Sequence, residues 1–148
     1  MLLLVAAGAT FALLPPRAIV IPADAGTAGP VRGVLHVHTD RSDGTGTPDT
    51  VAAAAARAGL SFVVFTDHGD ASAEPSAPVY RHGVLCIDAV EISSDHGHVL
   101  ALGLPRLPCV VGGAGRDVLE DIARFGGMSI LAHPTSVRPS LRWTGGDA

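Results

Sequence analysis

The first residues able to do chemistry are His36 and His38, which end the first apolar run after the N-terminal region. Because successive side chains of a β-strand alternate between its faces, this spacing predicts that both imidazoles share one face with Val34. Leu35 and Val37 are then expected on the opposite face. Neutral imidazole is the commonest metal ligand in proteins, so the pair indicates a metal site. The alternative is a pair of strand histidines that only hydrogen-bond to their neighbours.

Further candidate ligands stand at the ends of later apolar runs: His68, Glu91, His98 and His133. In parallel α/β folds the carboxyl ends of successive strands meet at one rim, and we therefore expect these side chains to converge. Histidine and carboxylate ligands together suit Zn, Mn or Fe, and no cysteine is spaced to join them. The candidates exceed what one tetrahedral ion needs, which indicates two or three divalent ions. Such ions generate hydroxide near neutral pH, which is the chemistry of a hydrolase.

Alternating strands and helices are predicted to position these residues, so the pattern indicates an α/β fold. Strands are predicted at residues 31–37, 60–66, 84–91, 98–104 and 128–132. Helices are predicted at residues 50–58 and 117–125. Thr47 is a suitable N-cap for the first helix, Pro48 suits its first position, and Gly59 is expected to end it. The strand over residues 84–91 is expected to end at Glu91 and to pair with residues 98–104 as a hairpin.

Several segments, taken in their order along the chain, resemble the motifs of the PHP (polymerase and histidinol phosphatase) superfamily. These are residues 35–39 with 42–44, 65–69, 91–93 with 97–103, and 131–134. The resemblance implies a distorted (β/α)7 barrel of the PHP type, formed here by residues 31–148. It also implies a site that holds two or three divalent ions of Mn, Zn or Fe.

The resemblance further implies a role for each candidate residue. The implied metal ligands are His36, His38, Asp43, His68, Glu91, His98 and His133, with Glu91 as the bridging carboxylate. His133 or His98 would assist proton transfer in catalysis, and Asp67 is the third candidate catalytic residue, placed beside the ligands or the substrate.

The implied reaction is the hydrolysis of a small-molecule phosphoester by a metal-bridging hydroxide, or of an ester or amide as in part of the family. Two alternatives stay open. One is a PHP exonuclease or scaffold domain of a bacterial DNA polymerase, and the other is a metal-binding fragment without catalysis.

The chain departs from the family pattern near its C-terminus. The family's last motif, an Asp-x-His, is absent, since Asp147 is followed only by Ala148. Several strands of the family's barrel have no counterpart either. We therefore expect an incomplete barrel without its C-terminal strands, encoded by the front of a longer reading frame.

Composition fits one packed domain, because 47% of the 148 residues are hydrophobic and 16% are charged. The formal net charge is −4, and Lys and Arg together number only 10. Proteins bind nucleic acids chiefly through a basic surface of their own. This composition does not indicate such a surface, so no nucleic-acid partner is expected. This argues against the polymerase alternative and leaves the oligomeric state open.

Residues 1–25 are predicted to be a signal peptide, and residues 26–30 a linker. The apolar run over residues 2–14 is shorter than a membrane-spanning helix, and Ala23, Asp24 and Ala25 form a small-x-small cleavage pattern. The protein is therefore expected to be secreted or periplasmic in a bacterium, with no stable membrane association after cleavage. An N-terminal membrane anchor is the alternative, because no Lys or Arg precedes the apolar run.

Overall fold

The computed structural model describes residues 30–107 and 110–146. The predicted signal peptide over residues 1–25 lies outside the described residues, as does the predicted linker apart from Pro30. No helix within the described part of the chain is both long enough and apolar enough to span a membrane.

Eight strands of the described residues form two four-stranded sheets. The strands are β1 (Gly33–Val37), β2 (Phe62–Phe65), β3 (His68–Gly69), β4 (Val79–Arg81), β5 (Val84–Asp88), β6 (Val90–Ser94), β7 (Gly97–Leu102) and β8 (Met128–Leu131). The first sheet has the order β1-β2-β5-β4, in which only the β4–β5 pair is antiparallel. The second has the order β3-β6-β7-β8, in which only the β3–β6 pair is parallel. The α/β class is confirmed, whereas the strands of the described residues do not close a barrel.

Two α-helices and one turn of 3₁₀ helix complete the described structure: α1 (Pro48–Arg57), α2 (Gly115–Arg124) and the 3₁₀ turn (Pro139–Leu141). Helix α1 begins as predicted, because the Thr47 hydroxyl accepts a hydrogen bond from the Thr50 amide at 3.1 Å. Gly59 follows the helix with a φ of 72°, a conformation that glycine adopts without a steric cost.

Each helix covers one sheet. Ala52 and Ala55 of α1 pack with Val63 and Phe65 of β2 in the first core. The short alanine side chains let the helix lie close to the sheet. Full burial of a side chain as large as Phe contributes about 1.5–3 kcal/mol to folding, so this core holds β2 rigidly in place.

Helix α2 covers the second sheet in the same way. Its residues Val118 and Ile122 are buried with Ile92 of β6 and Val99 of β7. Because side chains alternate along a strand, Glu91 lies on the face of β6 opposite Ile92. The apolar face of this sheet therefore packs against the helix, while its other face carries a carboxylate.

Strand β1 contains a bulge that the sequence pattern does not predict. His36 has a φ of 68°, and the pairing with β2 shifts register between Leu35 and Val37. As a result, Val34 and Val37 pack against the same core. The prediction that Val34 shares a face with His36 and His38, opposite Val37, is therefore wrong. A bulge redirects the side chains that follow it, and this one turns Val37 towards α1.

The segment predicted as one strand over residues 84–91 is two strands. β5 ends at Asp88, β6 begins at Val90, and the two belong to different sheets. Glu91 is therefore the second residue of β6 and not the end of a strand, which corrects the predicted placement. The predicted hairpin with the following strand is confirmed, because β6 pairs with β7 in antiparallel register.

Candidate metal centre

The buried carboxylate of Glu91 is the centre of the site. Its side chain is 1% exposed, and four imidazoles surround it within hydrogen-bonding distance. His36 Nε2 and His38 Nε2 lie 3.1 and 2.8 Å from Oε2. His98 Nδ1 and His133 Nε2 lie 3.0 and 3.1 Å from Oε1. The two carboxylate oxygens thus divide the four histidines into two pairs.

Three different parts of the fold bring these imidazoles together. His36 lies in the bulge of β1, and His38 directly follows that strand. Both rings turn towards β6 and form the first pair. His98 lies on β7, diagonally across the hairpin from Glu91, whose direct partner is Leu100. His133 follows β8 and has a φ of 33°. The predicted convergence of these residues is observed, although antiparallel and bulged strands produce it.

The Glu91 carboxylate is held in its charged form. Burial would raise the pKa of this group, but the hydrogen bond with His36 and the charges of neighbouring histidines, among them His98, lower the pKa below its ordinary value of 4.5. A buried charge without such partners would be costly. The surroundings of Glu91 therefore favour a carboxylate that can bind cations.

A second carboxylate, that of Asp43, lies at the exposed edge of the cluster. Its Oδ1 is 2.6 Å from His38 Nδ1, and its Oδ2 is 3.7 Å from His68 Nε2. The hydrogen bond with His38 lowers the pKa of Asp43. His68 lies between the two carboxylates, since its Nδ1 is also 3.7 Å from Glu91 Oε2. Asp43 and His68 thus extend the cluster towards solvent.

The contacts of Asp67 are to the turn after β1. Its carboxylate accepts hydrogen bonds from the Thr39 amide at 2.6 Å and from the hydroxyls of Thr39 and Ser42, both at 2.8 Å. These bonds tie β2 to the turn that carries Asp43. Among the described residues, no imidazole hydrogen-bonds to Asp67, so the geometry is that of a residue that positions the ligands.

Gly44 permits the close packing of this turn. A Cβ at Gly44 would lie 2.5 Å from the carbonyl oxygen of His38 and 2.8 Å from the Thr39 nitrogen. Real Cβ atoms do not approach backbone so closely. The Gly44 amide also donates to the Thr39 carbonyl at 3.0 Å. The Ser42-Asp43-Gly44 sequence therefore has a packing role in addition to the ligand that Asp43 provides, a role that sequence reasoning missed.

The ring nitrogens of His38 and His133 all face oxygens that only accept hydrogen bonds. Both ring nitrogens of His38 face carboxylate oxygens, those of Asp43 and Glu91. Those of His133 face the Leu141 carbonyl and Glu91. A neutral imidazole has one N–H, and these oxygens accept only, so one lone pair of each ring must face an oxygen. A second proton on the ring, or a cation that binds this nitrogen and Glu91, would remove the repulsion.

Distances in the cluster also suit metal ligands. Two atoms that bind one ion at about 2.0–2.2 Å each lie about 3 Å apart at a right angle. Three groups of mutually close ligand atoms could hold an ion: His36, His38 and Glu91; His38, Asp43 and His68; and His68, Glu91 and His98. His133 belongs to none of these groups, although it contacts Glu91. The ligand role of each residue stays a prediction.

A cleft of about 420 Å³ opens beside the cluster and is lined by His68 and Asp67. Arg41 also lines the cleft, and its guanidinium donates a hydrogen bond to Asp88 at 3.0 Å. Asp88 in turn accepts from the Ser76 amide at 3.2 Å. This carboxylate therefore joins the turn after β1 to the loop before β4, a link that no short motif in the sequence reveals.

Fold and site together define a mixed α/β protein with a histidine and carboxylate cluster that could bind metal. The sequence model of the PHP domain family matches residues 35–106, which is consistent with a fragment of the PHP superfamily and confirms the resemblance. Proteins of this family are generally metal-dependent hydrolases and bind divalent metals. The matched residues include every candidate ligand except His133. A search of curated proteins found no match.

Proposed function

We propose that this protein is a metal-dependent phosphoesterase that acts on a small-molecule phosphoester. The observation that carries the proposal is the division of four histidines between the two oxygens of Glu91. A carboxylate with ligands gathered at each oxygen is suited to bridge two divalent ions. Ions held there would supply hydroxide near neutral pH and would offset negative charge on the phosphoryl group.

The residues of the chain divide the work as follows. His36 and His38 would hold one ion together with Glu91, and His98 would contribute to a second ion. Asp43 and His68 stand at the exposed edge, where they can hold a third ion or face the substrate. Mn, Zn and Fe all suit this mixture of imidazole and carboxylate ligands.

Proton transfer to the leaving group is assigned to His133 or His98. Both lie beside Glu91 Oε1 and are partly buried, so water reaches them less freely than it reaches surface histidines. His133 belongs to no group of mutually close ligand atoms, although its Nε2 contacts Glu91 Oε1. General acid catalysis by a positioned imidazole typically contributes about 10²–10⁴-fold to the rate.

The cleft beside His68 is proposed to receive the substrate. Its wall includes the apolar side chains of Val90 and Leu104, which can contact the organic part of a phosphoester. Arg41 supplies a guanidinium to the same cleft, and this group pairs well with phosphoryl oxygens. Asp88 holds the Arg41 side chain in place through its hydrogen bond.

The test is hydrolysis of p-nitrophenyl phosphate by the full chain after treatment with EDTA and reloading with Mn²⁺, Zn²⁺ or Fe²⁺. Turnover that depends on one of these ions and falls to background in Glu91→Gln supports the proposal. The variant Glu120→Gln makes the same chemical change at an exposed position on α2 and controls for it. Metal binding without turnover on phosphoesters, esters or amides would instead favour a non-catalytic metal-binding module.

Export is proposed for the same chain. The apolar run over residues 2–14 and the Ala-Asp-Ala pattern that ends at residue 25 support a cleaved signal peptide. N-terminal sequencing of periplasmic or secreted material is expected to begin near Gly26. An intact Met1 on protein from the cytosol would contradict export, and an intact Met1 in the membrane fraction would favour an anchor.

A further inference from the structure

A backbone carbonyl binds one ring nitrogen of His133 and orients the ring. His133 Nδ1 lies 2.8 Å from the Leu141 carbonyl oxygen. A carbonyl only accepts, so this hydrogen bond requires a proton on Nδ1 and turns Nε2 towards Glu91. That nitrogen lies 3.1 Å from Glu91 Oε1. The position of Leu141 therefore decides how His133 faces the cluster.

Residues 138–144, here called the strap, hold this carbonyl in place. Thr144 at the far end of the strap is bound to the β6–β7 turn, because its amide donates to the His96 carbonyl at 2.8 Å. The Thr144 hydroxyl also lies 3.1 Å from His96 Nδ1. Trp143 packs against the core beneath α2, as a partly buried neighbour of the cluster that contains Val118 and Ile122. Trp143 is the largest side chain of the strap and, among the described residues, the one hydrophobic strap residue that packs against that core.

Two glycines make room for the strap. A Cβ at Gly115 would lie 2.8 Å from the Cη2 atom of the Trp143 indole and 2.9 Å from the Cβ of His96. A Cβ at Gly97 would lie 3.2 Å from the carbonyl oxygen of Arg142 and from the Cα of Trp143. Larger residues at either position would push the strap away from the body of the protein. The strap therefore packs against a surface, here called the seat, that is formed by the hairpin turn and the first residue of α2.

We propose that Trp143 is a positioning residue of the metal centre. By seating the strap, it keeps the Leu141 carbonyl on His133 Nδ1 and directs Nε2 towards Glu91. Because the proposal extends the metal site proposed above, it rests on that site for its effect on metal binding. Partners that orient a ligand in this way typically change metal affinity by about 10–100-fold. Coupling is reciprocal, so metal binding must stabilise the seated strap by the same factor.

The chain offers variants that separate the strap from general stability. Trp143→Ala removes the anchor, and Trp143→Phe keeps an aromatic ring in the seat. Gly115→Ala pushes against the seat without removing Trp143, which is the single tryptophan of the chain and reports seating by its fluorescence. Val137→Ala changes a side chain that is 89% exposed next to the strap and serves as the control.

Two measurements on the full chain test the proposal. The first is ¹⁵N NMR of labelled histidines without metal at pH 8, which identifies the N–H nitrogen of His133. The second is calorimetric titration with Mn²⁺ and Zn²⁺. We expect Trp143→Ala and Gly115→Ala to lose the single Nδ1–H form of His133 and to raise Kd about 10-fold, with red-shifted emission in Gly115→Ala. Trp143→Phe and Val137→Ala should stay within about 3-fold of the wild type.

Unchanged His133 tautomer and unchanged Kd in both Trp143→Ala and Gly115→Ala would overturn the proposal, even if the wild type binds metal. If the wild type binds neither ion and the two variants still lose the Nδ1–H form, the result contradicts the proposed metal site. In that case the positioning of His133 by the strap would stand. The two proposals therefore fail by different results.

Discussion

His38 Nε2 lies 2.8 Å from Glu91 Oε2, the shortest contact between this carboxylate and a ring nitrogen among the described residues. The other ring nitrogen of His38 faces Asp43. One imidazole thus connects the buried and the exposed carboxylate of the cluster. Since both oxygens only accept, this arrangement is satisfied when the ring carries a second proton or when a cation binds between the ring and a carboxylate.

The stability of the metal-free protein is expected to fall in acid because of Glu91. The folded-state pKa of this group lies below its ordinary value of 4.5, so the unfolded chain takes up its proton first as the pH falls. The stabilisation is present above 4.5 and is lost as the pH drops through the folded-state value. Thermal unfolding in EDTA should show the gap between the wild type and Glu91→Gln closing over this range. A gap that stays constant from pH 6 to pH 3 would contradict this expectation.

Gly44→Ala is expected to weaken metal binding without removing any ligand. The added Cβ would lie 2.5 Å from the His38 carbonyl oxygen, so the turn must move and take His38 and Asp43 with it. We expect Kd for Mn²⁺ to rise about 10-fold and the free energy of unfolding to fall by about 1–3 kcal/mol. Gly112→Ala is the control, since a Cβ there meets only one backbone oxygen, at 4.0 Å. Equal Kd values for the two variants would refute the role of Gly44.

Asp67 can be tested as a positioning residue against its predicted catalytic role. In Asp67→Asn the amide oxygen can still accept from the Thr39 amide, and the Thr39 hydroxyl can reverse to accept from the new NH₂ group. We therefore expect Asn to keep Mn²⁺ affinity and turnover within about 3-fold of the wild type, while Asp67→Ala lowers affinity about 10-fold. A large loss of turnover in Asp67→Asn with unchanged affinity would favour a catalytic carboxylate.

Arg41 is expected to act on substrate binding and not on metal binding. Arg41→Gln keeps a long polar side chain but removes the charge that faces the cleft. Loss of a hydrogen bond between charged groups costs about 1.5–3 kcal/mol, so KM for p-nitrophenyl phosphate should rise by at least about 10-fold with little change in metal affinity. Arg124→Gln on α2 is the control, because that side chain does not line the cleft. An unchanged KM would exclude Arg41 as a substrate contact.

The sequence predicted the α/β class, the first helix with its Thr47 cap, and the convergence of the histidines. These features follow from local chemistry, such as capping residues and apolar runs that end in polar groups. The bulge at His36 was not predicted, because an alternating pattern of apolar and polar residues does not indicate which non-glycine residue has a positive φ. Nor was the break between β5 and β6, since Asp88 is the single polar residue in the otherwise apolar run over residues 84–90.

The contacts that orient the ligand side chains were the part of the site that the sequence predicted least well. The Leu141 carbonyl that orients His133 is a backbone group, so no residue type in the sequence predicts this contact. Trp143 lies ten positions after His133 in a polar segment, and only the fold brings it against α2. Contacts between backbone and side chains of distant segments depend on tertiary packing, which single-sequence patterns do not encode.

The most direct test of the metal centre is calorimetric titration of the EDTA-treated full chain with Mn²⁺ and Zn²⁺, compared with two histidine variants. His36→Asn removes a ring at Glu91, and His82→Asn removes one from a surface pair with Asp49. Both positions have positive φ, which asparagine tolerates, so backbone strain is matched. We predict binding in the wild type and in His82→Asn, and a rise in Kd of more than about 100-fold in His36→Asn. Equal binding by His36→Asn and the wild type would contradict the metal centre proposed around Glu91.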